Sequence, residues 1–211
     1  MLHSKDELNR LYNSPYVDLV MTNDFDAGKA LAAAFKFIFP DVKRIADVGC
    51  NNGVHIKSMI DVGFECEGYD ISQAAIDKAI VPKELIHLAD LREPMTVEKR
   101  FDMAYAVECI EHIEEEALMQ FSSNMEILAP IFVCTPGNQD GTGHFNMQPS
   151  TWWIWKLKQT GWIYDIDKSA ELHNYLMQKQ WDKSLKTFPF PRKGIMVFRN
   201  IVENKQSIMD V

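Results

Sequence analysis

Arg44-Ile-Ala-Asp-Val-Gly-Cys-Asn-Asn-Gly53, with Glu67-Gly-Tyr-Asp-Ile-Ser72 a short way on, decides the fold. Residues 45–48 read as a short buried strand, 49–53 as a tight turn, and 54–62 as a helix whose apolar residues Ile56, Met59 and Ile60 share a face. A second strand, 64–69, stops at Asp70, and Ser72 stands where it caps the next helix. In a doubly wound sheet, an acid ending the second strand, ~20 residues after the glycine turn, hydrogen-bonds the two ribose hydroxyls of an adenosine. The expected ligand is an adenosine derivative.

The glycines and Asp47 narrow that class. A dinucleotide fold requires G-x-G-x-x-G, whose middle glycine lets the backbone approach a pyrophosphate. Here Gly49 and Gly53 enclose Cys50, Asn51 and Asn52, and no third glycine opens the helix. Asp47 sits at the end of the first strand, where an anion repels phosphate and attracts an ammonium group. An amino-acid tail suits the turn better than a pyrophosphate.

Asp47-Val48-Gly49-Cys50-Asn51-Asn52-Gly53, Gly68-Tyr69-Asp70-Ile71-Ser72 and Ala89-Asp90-Leu91 together resemble the first three motifs of class I S-adenosylmethionine (SAM) dependent methyltransferases. The resemblance runs from about Lys43 to Asn200. It implies an α/β fold: a Rossmann-like, seven-stranded, mostly parallel sheet with helices on both faces and an antiparallel last strand. It also implies SAM lying across the carboxyl ends of the first two strands, beside Asp47, Gly49, Cys50, Asn51, Gly53, Asp70 and Ile71. The Asp90 side chain and the Leu91 N–H would contact the adenine.

Working outward, 211 residues suit one α/β domain, 1–211, with residues 1–40 as a helical lead-in. No apolar run approaches the ~20 residues of a membrane span, and the N-terminus lacks a signal-peptide layout, so a soluble, cytoplasmic protein is expected. Cys50, Cys66, Cys109 and Cys134 lie in or beside predicted strands without C-x-x-C spacing and read as reduced, buried small residues. The net charge of −8 argues against a general nucleic-acid binder. It is uneven: residues 1–149 carry 12 Lys+Arg against 24 Asp+Glu, and residues 150–211 carry 10 against 6. The basic part is either solvated surface or a weakly positive rim facing a phosphate-bearing substrate.

Tyr12 and Tyr16 lie in a polar lead-in, where a tyrosine is more commonly core or surface than lid; in the family resembled, this segment often covers the cofactor. Asp26 is expected to cap a helix reaching Phe39. The third strand is expected at 85–89, the fourth at 101–107, the fifth at 131–134. A helix starting at Glu108 places Glu108, Glu111 and His112 at i, i+3 and i+4, on one side, with Glu114, Glu115 and Glu116 suiting its positive end. In that first turn a protonated His112 is disfavoured. Later, Thr135 to Asn146 form a glycine-rich loop at a strand's carboxyl end, carrying His144. Ser150 is expected to cap a helix with Trp152, Trp153 and Trp155. A strand at 162–166, a helix from 169 to about 183, an extended loop at 188–194 and a last strand at 195–201 complete the chain.

Methyl transfer to a hydroxyl needs a positioned acceptor and help with its proton. The pattern Glu108-x-x-Glu111-His112 with His144 beyond the fifth strand resembles metal-dependent small-RNA 3′-terminal 2′-O-methyltransferases, and its first part resembles quinone-biosynthesis O-methyltransferases. Carried over, Glu108, Glu111, His112 and His144 would be catalytic residues and ligands of a divalent metal, Mn, Fe, Co, Zn or Mg. Glu-His pairs at this place also occur in SAM enzymes that bind no metal, with the histidine as base. The leading expectation is O-methylation of a small hydroxylated acceptor, a sugar or nucleotide conjugate. The alternatives are 2′-O-methylation of an RNA 3′ end and a SAM-binding scaffold subunit without catalysis.

Overall fold

The computed structural model describes residues 2–13, 15–17, 25–137, 141–180 and 194–201. Its centre is a seven-stranded sheet of β1 (Arg44–Val48), β2 (Glu65–Asp70), β3 (Ile86–Leu88), β4 (Met103–Ala106), β5 (Ile131–Cys134), β6 (Trp162–Tyr164) and β7 (Met196–Asn200), ordered β3-β2-β1-β4-β5-β7-β6. The first five strands pair in parallel; β7 runs antiparallel to both β5 and β6. This is the Rossmann-like, mostly parallel sheet with an antiparallel last strand expected from the sequence.

Both faces of the sheet are covered, so its central strands are buried on each side. Ile45, Met103, Tyr105, Val133 and Val197 point into one core, under α2 (Phe25–Ile38), α3 (Val54–Asp61) and α7 (Ile166–Gln180). Their neighbours Ala46, Ala104, Phe132, Cys134 and Phe198 point into the other, under α5 (Leu118–Leu128) and α6 (Ser150–Lys158). Leu31 and Phe35 of α2 are fully buried, each contributing about 1.5–3 kcal/mol of apolar burial. All four cysteines are free and buried, and among the described residues no helix is long and apolar enough to cross a membrane.

Several local expectations change. Asp26 lies inside the first turn of α2. Ile60 is exposed, because α3 buries Val54, Ile56, Ser58 and Met59 instead. Ser72 does cap α4 (Gln73–Asp77), accepting the Ala75 N–H. Ser150 is the first helical residue of α6; Pro149 holds the cap position and makes no side-chain bond. Residues 181–183 of the last expected helix and 188–193 of the extended loop lie outside the described residues.

The largest departure follows β4. Glu108 adopts φ +53°, a left-handed conformation rare for a non-glycine residue, so no helix can start there. A 3-10 turn, Ile110–His112, comes next, then extended Ile113 and Glu114, then a second 3-10 turn, Glu115–Ala117, and α5 begins only at Leu118. Leu118, Phe121, Met125 and Leu128 are buried along α5 as expected. Glu115 pairs with Lys156 at 2.6 Å. Glu114 joins a buried network.

In that network Arg92 Nε and Nη2 donate to the two Asp90 oxygens at 2.9 and 2.8 Å, and Nη1 donates to Glu114 Oε1 at 3.1 Å and to the His3 carbonyl at 2.9 Å. The three side chains are 8, 8 and 5% exposed, so little water screens them. Burial alone raises the Asp90 carboxyl, but the Arg92 side-chain and backbone bonds outweigh it and hold it below the usual range. Glu114 is likewise lowered against burial, by the His3 N–H and Arg92.

Arg92→Ala removes the guanidinium between two buried carboxylates, leaving Glu114 its His3 bonds alone, and urea unfolding at pH 7 is expected to show a loss of about 3–5 kcal/mol. Because both folded pKa values are lowered, the network's stability is present above the ordinary carboxylate range and disappears as pH falls below about 4. The wild type is expected to lose more stability across that acid window than the variant does.

Candidate active site

The carboxyl ends of β1, β2 and β4 open onto a cavity of about 390 Å³. Its first wall is the turn after β1. Gly49 and Cys50 N–H groups both donate to the Tyr69 carbonyl, at 2.8 and 3.2 Å, which folds the turn over the end of β2. Gly49 has φ +78°, and a Cβ there would lie 2.7 Å from Cys109 Sγ. Asn51, at φ +50°, aims its N–H at Asp70 Oδ2 at 2.7 Å, and Ser72 N–H reaches Asp70 Oδ1 at 2.8 Å. Burial raises the Asp70 carboxyl, opposed by the backbone N–H groups of Ser72, Asn51 and Ile71.

Asp47, 2% exposed, lines the same cavity, as do Cys50, Asn51 and Ile71. Its charge, after burial itself, helps push the Tyr105 hydroxyl upward, so that phenol stays protonated. Asn51 Oδ1 and Asn52 Nδ2 are buried without a hydrogen-bond partner among the described residues, and both residues line the cavity. Gly53 does not line it. With φ +86° and a Cβ position 2.6 Å from Val81, it serves the entry of α3. Asp90 and Leu91 line the far end, but both Asp90 oxygens already face Arg92, so its carboxylate belongs first to the buried network.

The opposite wall comes from the ends of β4 and β5. Glu108 N–H donates to Thr135 Oγ1 at 2.9 Å, and that hydroxyl donates back to Glu108 Oε1 at 3.2 Å, which holds the strained residue in place. Glu111 is fully buried, and Gly137 passes so close that any Cβ there would collide with its side chain. Asn146 pins the loop to the 3-10 turn: its N–H donates to the Glu111 carbonyl at 3.0 Å and its Nδ2 to the Ile113 carbonyl at 3.1 Å. His144 is thereby set edge-on to His112, ring centroids 4.8 Å apart.

One ligand atom from each of Glu111, His112 and His144 lies within 4.8 Å of the others. Glu108, expected as a fourth member, is outside that group because its backbone departs from the helix that would have aligned it. The helix-end argument for a neutral His112 lapses too, since α5 starts six residues later. Instead, His112 Nδ1 lies 3.0 Å from the Gly143 carbonyl, which can only accept. The proton is assigned to Nδ1, leaving the Nε2 lone pair as the ring's basic position.

Leu8, Tyr12, Tyr16 and Val17 close the cavity from above, so both tyrosines border it. Burial, reinforced by Asp70, Glu111, Cys109 and Glu108, pushes the Tyr16 hydroxyl up to about 12. Sequence reasoning missed Arg92, Thr135 and His55, the last of which also lines the cavity. Arg92, two residues after Asp90, carried the one available signal.

Residues 24–188 match the family model described as a methyltransferase domain. No curated protein matches the sequence significantly. Among solved structures, the chain is similar to the magnesium protoporphyrin IX methyltransferase of Synechocystis PCC 6803, which has SAM bound, with 13% identity over 95% of this chain and 98% of that one and a TM-score of 0.62. It is similar to a sugar N-methyltransferase of Streptoalloteichus sp ATCC 53650, with 15% identity, coverage of 83% and 87%, and a TM-score of 0.57. It also resembles the small RNA methyltransferase HEN1, with 15% identity and a TM-score of 0.56, over 81% of this chain but 24% of that one. With the glycine turn, the acid-ended strands and the sheet order in place, the chain belongs to the class I SAM-dependent methyltransferase family.

Proposed function

We propose that this methyltransferase acts on a hydroxyl oxygen of a small acceptor, with Glu111, His112 and His144 managing the acceptor's proton. The observation that carries this reading is the convergence of those three side chains at the carboxyl ends of β4 and β5, within 4.8 Å of one another. A hydroxyl is a poor nucleophile at neutral pH and needs a base within hydrogen-bond reach. An imidazole with its Nδ1 proton held by Gly143 provides one.

The donor end of the cavity fits SAM in its chemistry. Asp47 complements an ammonium group, Asp70 a ribose, and the unpartnered Asn51 Oδ1 and Asn52 Nδ2 offer an acceptor and a donor to an amino-acid tail. SAM supplies a sulfonium methyl carbon open to in-line displacement. The chain's own part is to orient and to exclude water: the segment carrying Tyr12 and Tyr16 roofs the cavity, and the buried Glu111 carboxylate sits beside the imidazoles to stabilise the imidazolium formed as the proton is taken.

The same three side chains form a donor set for a divalent cation, one carboxylate and two imidazoles, which suits Mn, Fe, Co or Zn better than Mg. Such an ion lowers the pKa of a bound hydroxyl. This second reading retains Glu111, His112 and His144 as ligands and leaves Glu108 outside them.

For the acceptor, the cavity's walls favour a neutral polyol. On the acceptor side Glu108 lines it, and among the described residues the cavity's one Lys or Arg is Arg92, which lies at the donor end and is already engaged by Asp90 and Glu114. An RNA end or another phosphate-rich acceptor meets little attraction there. Of the similar structures, one is a sugar N-methyltransferase, one a small RNA methyltransferase and one a protoporphyrin methyltransferase, and a sugar accords best with walls that carry acids and no free cationic side chain among the described residues.

Asp70→Ala is expected to weaken binding of S-adenosylhomocysteine (SAH) by about 1.5–3 kcal/mol in calorimetry; unchanged affinity places the nucleoside elsewhere. With SAM carrying a labelled methyl group, and hexoses, nucleotide sugars and RNA ends offered in turn, label is expected on oxygen of a neutral sugar; label on nitrogen overturns the hydroxyl reading. On that acceptor, His144→Ala is expected to lower kcat about 10²–10⁴-fold. Calorimetry with Mn(II) and SAH tests the cation: no heat, together with activity unchanged in chelator, leaves the histidines as base alone.

A further inference from the structure

The roof of the cavity is tied down at three points. At its outer end, His3 N–H donates to Glu114 Oε1 at 2.9 Å and Arg92 Nη1 donates to the His3 carbonyl at 2.9 Å. Over the donor end, Ser72 Oγ donates to the Tyr12 carbonyl at 2.7 Å. Over the acceptor end, Tyr12 Oη lies 2.9 Å from His112 Nδ1, and the two rings meet edge to face with centroids 5.5 Å apart. Tyr12 therefore touches both the cap of α4, which follows Asp70, and a member of the Glu111, His112 and His144 group. Gly143 completes the arrangement: its carbonyl shares His112 Nδ1, and a Cβ on it would collide with the Tyr12 hydroxyl.

We propose that Tyr12 is a positioning residue that latches the roof of the donor site to His112, so that release of the demethylated donor is coupled to the state of the acceptor-side histidine. The coupling rests on the reading of this cavity as the SAM site. The physical argument is that Leu8, Tyr12 and Tyr16 roof the ligand, and lifting this segment to release it breaks the Tyr12–His112 contact. Anything that turns His112 toward an acceptor or a cation weakens that contact beforehand and lowers the cost of opening. By reciprocity, a bound donor that keeps the roof down favours the His112 orientation seen here.

The test is the dissociation rate of SAH from the full chain, measured for the wild type, Tyr12→Phe, His112→Phe and the double variant. Both phenylalanine substitutions keep an aromatic ring; Tyr12→Phe removes the hydroxyl alone, while His112→Phe removes the ring nitrogen shared by Tyr12 and the Gly143 carbonyl. Each single variant is expected to release SAH about three- to ten-fold faster, the worth of one hydrogen bond, and the double variant no faster than either. His112→Ala serves as a further variant, with the same expected rate in the Tyr12→Phe background as alone. SAH release indifferent to Tyr12→Phe, or single effects that multiply in the double variant, overturns the latch while leaving the donor site intact. A wild-type chain that binds no SAH overturns the donor site and the latch together.

Discussion

Asp70 joins the two turns on which the rest of the site depends. One oxygen accepts the Asn51 N–H from the turn after β1, and the other accepts the Ser72 N–H from the turn after β2. Without this carboxylate, the Asn51 and Ser72 N–H groups lose their shared acceptor, and the turn after β1 keeps its ties to the Tyr69 carbonyl. Burial works against the charge, raising the group's pKa, and backbone N–H groups are what offset it. Three backbone N–H groups leave part of the carboxylate's accepting capacity open, and the same acid is the one proposed to meet a ribose.

That arrangement explains which parts of the chain were readable beforehand. β1, its glycine turn and β2 follow from local patterns: short apolar runs, glycines at φ +78° and +86°, and a serine at a helix cap. β5 falls where a bounded apolar run puts it, at Ile131–Cys134. The segment after Ala106 was misread because its geometry is fixed from a distance. Glu108 has a left-handed backbone although its side chain disfavours one, and the reason lies 27 residues away in Thr135. A helical periodicity over residues 108–116 is present in the sequence, but tertiary bonds from Thr135 and Asn146 override it.

The site was legible in its membership more than in its geometry. Glu111, His112 and His144 do come together, though through a 3-10 turn and a pinned glycine-rich loop rather than one helical face. Asp90 lines the cavity, but the Arg92 guanidinium that it shares with Glu114 comes into play through side chains 2 and 24 residues further on. Gly53 was grouped with the ligand contacts, whereas its conformation and its closeness to Val81 tie it to helix entry. Spacing along a chain identifies chemistry-bearing residues; which of them face one another depends on long-range bonds that spacing does not encode.

The place of β7 in the sheet has a consequence for synthesis. β6 is hydrogen-bonded in the sheet to β7 alone, and β7, the last strand described, lies between β6 and β5. As the polypeptide leaves the ribosome, β1 to β5 can assemble in turn, each beside a strand already made. β6 emerges before its own partner strand β7 exists, and the apolar edge of β5 stays open until Met196 to Asn200 are out. The order of translation thus leaves an unpaired edge waiting on the final insertion, an interval in which a chaperone, or another nascent chain, has something to bind.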